Sequence, residues 1–150
     1  MNSPDEWGAS SRRLHKLLPR DQWDAMMETD AGAEIEPEFL GFIWTYELLA
    51  KLIPLEWTVI DLGCAYNAQC FLFTNHKQYI AVDNFPNSPK FKSPNCTIYN
   101  KSIESFIKED IGQFDLSKTF AICNYVPPWG GDNGKMVREA FPNLYVFYPH

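Results

Sequence analysis

No stretch of this chain approaches the roughly 20 consecutive apolar residues that a membrane-spanning helix needs. The longest apolar runs, such as Thr58-Val59-Ile60 with Leu62, are of strand length. The first residues, Met1 to Gly8, carry Pro4, Asp5 and Glu6 and no apolar core, so a secretory leader is not expected. Together these absences predict a cytoplasmic chain with no membrane partner. Cysteine is scarce too. Cys64, Cys70, Cys96 and Cys123 make no C-x-x-C pair, and no histidine follows at zinc-finger spacing. A disulfide scaffold would be denser in cysteine, so the four read as reduced, buried thiols. His15, His76 and His150 lie far apart, and no metal site is expected from them. Positive charge is also short. Lys and Arg number 13 against 19 Asp and Glu, and the net charge of −6 argues against a nucleic-acid partner, which needs a basic face. Arg12, Arg13, Lys16 and Arg20 do cluster, but the acids between Asp5 and Glu36 outnumber them. No G-K-[ST] follows a glycine run, which excludes a P-loop. No G-x-S-x-G is present either, which excludes a nucleophile elbow.

What remains is 150 residues, 45% hydrophobic and 15% aromatic, the composition of one globular domain with a ring-rich core. Residues 1–36 read as a helical extension. Ser10 or Ser11 can cap a helix carrying Leu14, Leu17 and Leu18, and Asp21 a second with Trp23, Met26 and Met27. Residues 37–150 read as the main domain. Phe39, Ile43, Tyr46, Leu49, Ala50 and Ile53 recur at three- and four-residue spacing between Pro37 and Pro54, which predicts a helix with one apolar face. Trp57–Leu62, Tyr79–Val82, Cys96–Tyr99, Thr119–Cys123 and Leu144–Tyr148 are strand-like. Helical segments are expected at Ala68–Thr74, Ser102–Lys108 and Lys135–Phe141. Strands alternating with helices predict an α/β fold with a mainly parallel sheet.

Two places carry chemistry. The first strand breaks into Asp61-Leu62-Gly63-Cys64-Ala65-Tyr66, and Asp83 ends the second strand 22 residues after Asp61. A glycine turn at the carboxyl edge of a parallel sheet lets a ligand approach the backbone. An acid at the next strand tip can accept hydrogen bonds from ribose hydroxyls. Asn124-Tyr125-Val126-Pro127-Pro128-Trp129 follows the fourth strand and is dense in turn residues. It is either a rigid Pro-Pro turn with Trp129 covering a pocket, or an acceptor-binding loop. Gly130-Gly131-Asp132-Asn133-Gly134 is a candidate lid.

Asp61-Leu62-Gly63-Cys64-Ala65 and the later Asp83 resemble the first motif and the ribose-binding acid of the class I, Rossmann-like S-adenosylmethionine-dependent methyltransferases. The resemblance covers about residues 38–148. It implies a three-layer α/β sandwich with strand order 3-2-1-4-5, S-adenosyl-L-methionine as cofactor, and methyltransferase activity. In that family Asp61 faces the cofactor's amino group, Gly63 and Ala65 line its methionine part, and Asp83 holds the ribose. Ser102 and Ile103 fall where adenine is contacted. Ala65 stands where the family has its second glycine. Pro127-Pro128-Trp129 is similar to the family's amino-methyltransferase motif, with Val126 in place of the polar residue. Asn124, Tyr125 and Trp129 are the candidates for the catalytic, acceptor side. The acceptor, a small molecule or a protein, is not identified by these residues.

Two other readings remain open. One is a non-catalytic binding or regulatory protein built on the same fold. The other is a dinucleotide binder, with residues 63–68 read as G-x-A-x-x-A. Only Pro149 and His150 follow the fifth strand, whereas the family adds two more strands. The fifth strand is therefore expected at an exposed edge, to be covered by the N-terminal helices or paired with a second subunit as a homodimer.

Overall fold

A computed structural model describes residues 45–65, 67–84, 91–123 and 132–147. The chain divides into two units, Met1–Leu52 and Ile53–His150. In the first unit, residues 45–52 are helical, within the stretch where Pro37 to Pro54 predicts a helix. The expected helices before them lie outside the described residues.

The second unit is an α/β Rossmann-like fold. Its five strands are β1 (Thr58–Leu62), β2 (Gln78–Val82), β3 (Cys96–Tyr99), β4 (Thr119–Cys123) and β5 (Leu144–Val146). They form one sheet in the order β3-β2-β1-β4-β5, and all four pairings are parallel. The order expected from the sequence is the order observed. Chain connectivity runs outward from β1 to β3 and then returns to β4 on the other side of β1. The switch point, where adjacent connections diverge, therefore falls between β1 and β4.

Position in the sheet explains composition. β1 is central, and all five of its residues are buried, as a parallel strand covered on both faces must be. The side-chain period of two sorts the strands into two faces. Ile60, Leu62, Ile80, Val82, Ala121 and Cys123 share one face, against Phe106 from helix α1 (Ile103–Glu109), Val137 from helix α2 (Asp132–Ala140) and Phe141 just after it. Val59, Asp61, Tyr79, Ala81 and Ile122 share the other, again fully buried. The edge strand β5 has Tyr145 40% exposed.

Helix α1 forms for local reasons. Ser102 caps it, its side chain accepting from the Ser105 N–H at 3.1 Å. Glu104 in the first turn and Lys108 in the last suit the helix dipole, and they pair at 2.7 Å across one turn. The short helix expected over Ala68–Thr74 is a 3₁₀ helix at Ala68–Phe73. It is short and has no side-chain hydrogen bond at its N-cap, conditions that favour the tighter winding. Two further 3₁₀ turns, Ile111–Gln113 and Leu116–Lys118, interrupt the link to β4 and were not anticipated. The amino edge of the sheet is closed by Asn95, whose Nδ2 donates to the Phe73 carbonyl at 2.9 Å and to the His76 carbonyl at 3.0 Å. Among the described residues, no helix is long and apolar enough to cross a membrane.

Candidate functional site

The carboxyl ends of β1 and β2 meet at a tightly wound loop. Gly63, Ala65 and Asn67 all have positive φ, at 79°, 51° and 72°. Winding the chain this way turns its N–H groups inward. The Gly63 and Cys64 N–H groups both donate to the Val82 carbonyl, at 2.8 and 3.2 Å, and the Asn67 N–H donates to the Cys64 carbonyl at 3.0 Å. The Ala65 N–H donates to Asp83 Oδ2 at 2.9 Å. Asp83 itself continues the sheet, its N–H donating to the Tyr99 carbonyl at 3.2 Å. The loop and the β2 tip are thereby locked together, and Asp83 remains half-buried at the edge.

Glycine at 63 is required by the left-handed backbone there. Alanine at 65 adopts a left-handed conformation too, despite its Cβ. Left-handed backbone costs a non-glycine residue about 1–2 kcal/mol, while glycine carries an extra entropic cost of roughly 0.5–1 kcal/mol. Ala65→Gly is therefore expected to stabilise the fold by about 0.5–1 kcal/mol. A rise in the urea midpoint at unchanged slope checks this, and a fall would show that the methyl group packs usefully.

Behind the loop, Asp61 has no exposed surface. Its Oδ2 accepts a hydrogen bond from Gln69 Nε2 at 2.7 Å and one from the Tyr79 hydroxyl. Gln69 Nε2 also donates to the Cys64 carbonyl at 2.9 Å. Asp61 is thus a carboxylate inside the framework, connected to the loop through Gln69. Sequence reasoning missed Gln69 and Tyr79. The available signals were a single amide in the otherwise apolar stretch 68–73, and a tyrosine two residues before Ala81, which pairs with Asp61. That diagonal placement brings a long side chain within reach.

The two carboxylates set the local electrostatics. Burial, then Asp61 and Asp83, push the Cys64 thiol far above the ordinary value. Burial and Asp61 push Cys123 up to about 12. Both thiols therefore keep their protons at neutral pH.

The other expected site residues fall as follows. Ser102 is the cap of α1, and Ile103 begins that helix and packs against the core around Phe106. Asn124, Tyr125 and Trp129 lie outside the described residues, as does Tyr66. Among the described residues, no group of three His, Cys, Asp or Glu side chains is placed to hold a metal ion.

Comparison of the chain with protein-family models found no match. Comparison with curated proteins and with solved structures found none either. The class that the fold defines is α/β Rossmann-like, with a topological switch point between β1 and β4.

Proposed function

We propose that the chain binds S-adenosyl-L-methionine at the carboxyl edge of β1 and β2 and serves methyl transfer to an acceptor. The observation that carries this reading is the lock between the left-handed β1 loop and Asp83, at 2.9 Å. In open α/β sheets, ligands sit outside the carboxyl ends of the strands near the switch point. The lock puts an acid at that edge, beside β1.

Charge distinguishes the nucleoside sulfonium from a dinucleotide. A pyrophosphate needs N–H groups pointing outward. Here the Gly63, Cys64 and Ala65 N–H groups are engaged by Val82 and Asp83. An anion would also meet the carboxylate of Asp83, whereas a cationic, hydroxyl-rich ligand suits it. When bound, the cofactor supplies an activated methyl group. The chain's part is to bind and orient. Asp83 accepts from the ribose, Gly63 gives close backbone approach, and Asp61 holds the loop through Gln69. Asn124, Tyr125 and Trp129 are assigned to the acceptor side, where transfer needs chiefly in-line positioning.

Asp83→Ala is expected to weaken cofactor binding by about 1.5–3 kcal/mol, the range for hydrogen bonds to a charged group. This is roughly ten- to hundredfold in Kd. Because Asp83 also receives the Ala65 N–H, Asp83→Asn serves as a companion that keeps an acceptor oxygen there. Calorimetry with S-adenosyl-L-methionine and its demethylated product reads both variants. No heat from the folded wild-type chain at millimolar ligand would overturn the reading, as would preferential binding of a nicotinamide dinucleotide. Ala65, with its Cβ where the family has glycine, favours a second reading: a binding protein without turnover. Cofactor binding with no methyl transfer to any of a small-molecule and protein acceptor panel would select it.

A further inference from the structure

Strand β5 is an outer strand of the sheet, and among the described residues no strand pairs with its far side. The ladder to β4 fixes which of its groups are used. The Asn143 carbonyl accepts from the Ala121 N–H at 2.9 Å, and the Phe147 N–H donates to the Cys123 carbonyl at 2.9 Å. Such contacts fall on alternate residues of a strand, so the N–H and C=O groups of Leu144 and Val146 point away from β4. The side chains of these two residues pack against the core around Phe106. Tyr145 lies on the opposite face, 40% exposed, with its ring edge-on to Phe147 at 5.2 Å.

The two edges of the sheet differ. On β3, the Cys96 N–H turns back to the Ser93 carbonyl at 3.1 Å, and Lys92 and Lys101 flank the strand. Occupied edge groups and lysines keep an edge from pairing. The stretch Asn143–Phe147 holds no charged side chain. A second copy can therefore meet it without like charges facing each other there, although the whole chain carries −6. The β5 edge is also its own complement. In an antiparallel, two-fold arrangement centred on Tyr145, Leu144 of one copy faces Val146 of the partner subunit, and each such pair exchanges two hydrogen bonds. Tyr145 then faces Tyr145 of the partner subunit at a position without hydrogen bonds, where Cα atoms come within about 4.5 Å. Aromatic pairs at such positions favour strand association.

We propose that the β5 edge is a self-association surface: two copies of the chain pair β5 with β5, antiparallel about a two-fold axis at Tyr145, and join their sheets into one. A contact that uses the same patch on both copies closes on itself and stops at the dimer. The contact is small, so the dimer is expected to form and dissociate with concentration. It does not depend on the methyl-transfer reading.

The test is sedimentation equilibrium on the full chain, in a concentration series reaching about 1 mM, where even a weak Kd is populated. Wild type should convert reversibly to twice the chain mass. Tyr145→Lys and Tyr145→Glu should each stay monomeric, because like charges directly opposite each other oppose pairing. An equimolar mixture of the two variants should recover the dimer, since a register centred on position 145 sets the two opposite charges face to face. A wild-type chain that stays monomeric throughout, leaving the edge to another partner, overturns the proposal. So does a dimer that survives in both charged variants, or a mixture that stays monomeric. On wild type alone, amide hydrogen exchange at Leu144 and Val146 should slow as the dimer forms. Unchanged exchange at both overturns the proposal even where a variant does not fold.

Discussion

Phe106→Ala is expected to destabilise the protein by about 3–5 kcal/mol, the cost of deleting a large buried ring and leaving its cavity. Phe106 has no exposed surface and sits at the centre of the core that joins α1, α2 and the sheet. It meets Tyr99 edge-on at 5.1 Å and lies 6.2 Å from Phe114. These rings come from β3, α1 and the link to β4, so no single element can move to fill the space. A urea titration should show a lower midpoint with unchanged slope. Lys108→Ala is the control on the same helix. It removes an exposed ion pair with Glu104, worth only about 0.3–0.5 kcal/mol. Equal losses in the two variants would mean that α1 is held by its own turns and not by the core.

Asp61→Ala should cost about 2–4 kcal/mol, for a different reason. The substitution leaves the buried Tyr79 hydroxyl and one N–H of buried Gln69 facing a methyl group. Each buried polar group left without its partner costs about 1–3 kcal/mol. Gln69 keeps its bond to the Cys64 carbonyl, which places the total below the sum of two full penalties. Asp61→Asn should lose less, because its amide oxygen can still accept from Tyr79. If Asp61 instead acts chiefly on a ligand, both variants would melt like wild type and differ only in cofactor affinity. Melting curves and calorimetry on the same two variants tell these apart. With total stability of typically 5–15 kcal/mol for a domain, both variants should remain folded enough to measure.

Some of this was decided locally and was readable from the chain. Cys96–Tyr99 and Thr119–Cys123 are strands at the bounds their residues predict, because each is a short apolar or β-branched run with turn residues or a helix next to it. Gly63 marks the end of β1 because only a residue without Cβ enters the left-handed region freely. Asp83 was placed at the tip of the second strand because it ends the apolar run Tyr79–Val82. The strand order was implied by the resemblance to the Rossmann-like methyltransferases, and it is the order observed.

Other features depended on what the folded chain packs against itself. Nothing in residues 68–73 distinguishes a 3₁₀ from an α-helix; the winding is seen only in the folded chain. Ala65 looked like an obstacle to a left-handed turn, yet it adopts one, because Asp83 from the neighbouring strand holds its N–H at 2.9 Å. Asp61 looked like a ligand-facing acid in the motif. Its position on the central strand buries it, and Gln69 and Tyr79, from two other elements, supply its hydrogen bonds. The sequence by itself therefore determined the main strands and helices, since these rest on local periodicity and turn chemistry. Tertiary structure alone decided which polar groups hold the framework, because a side chain's partners come from strands that are distant in sequence.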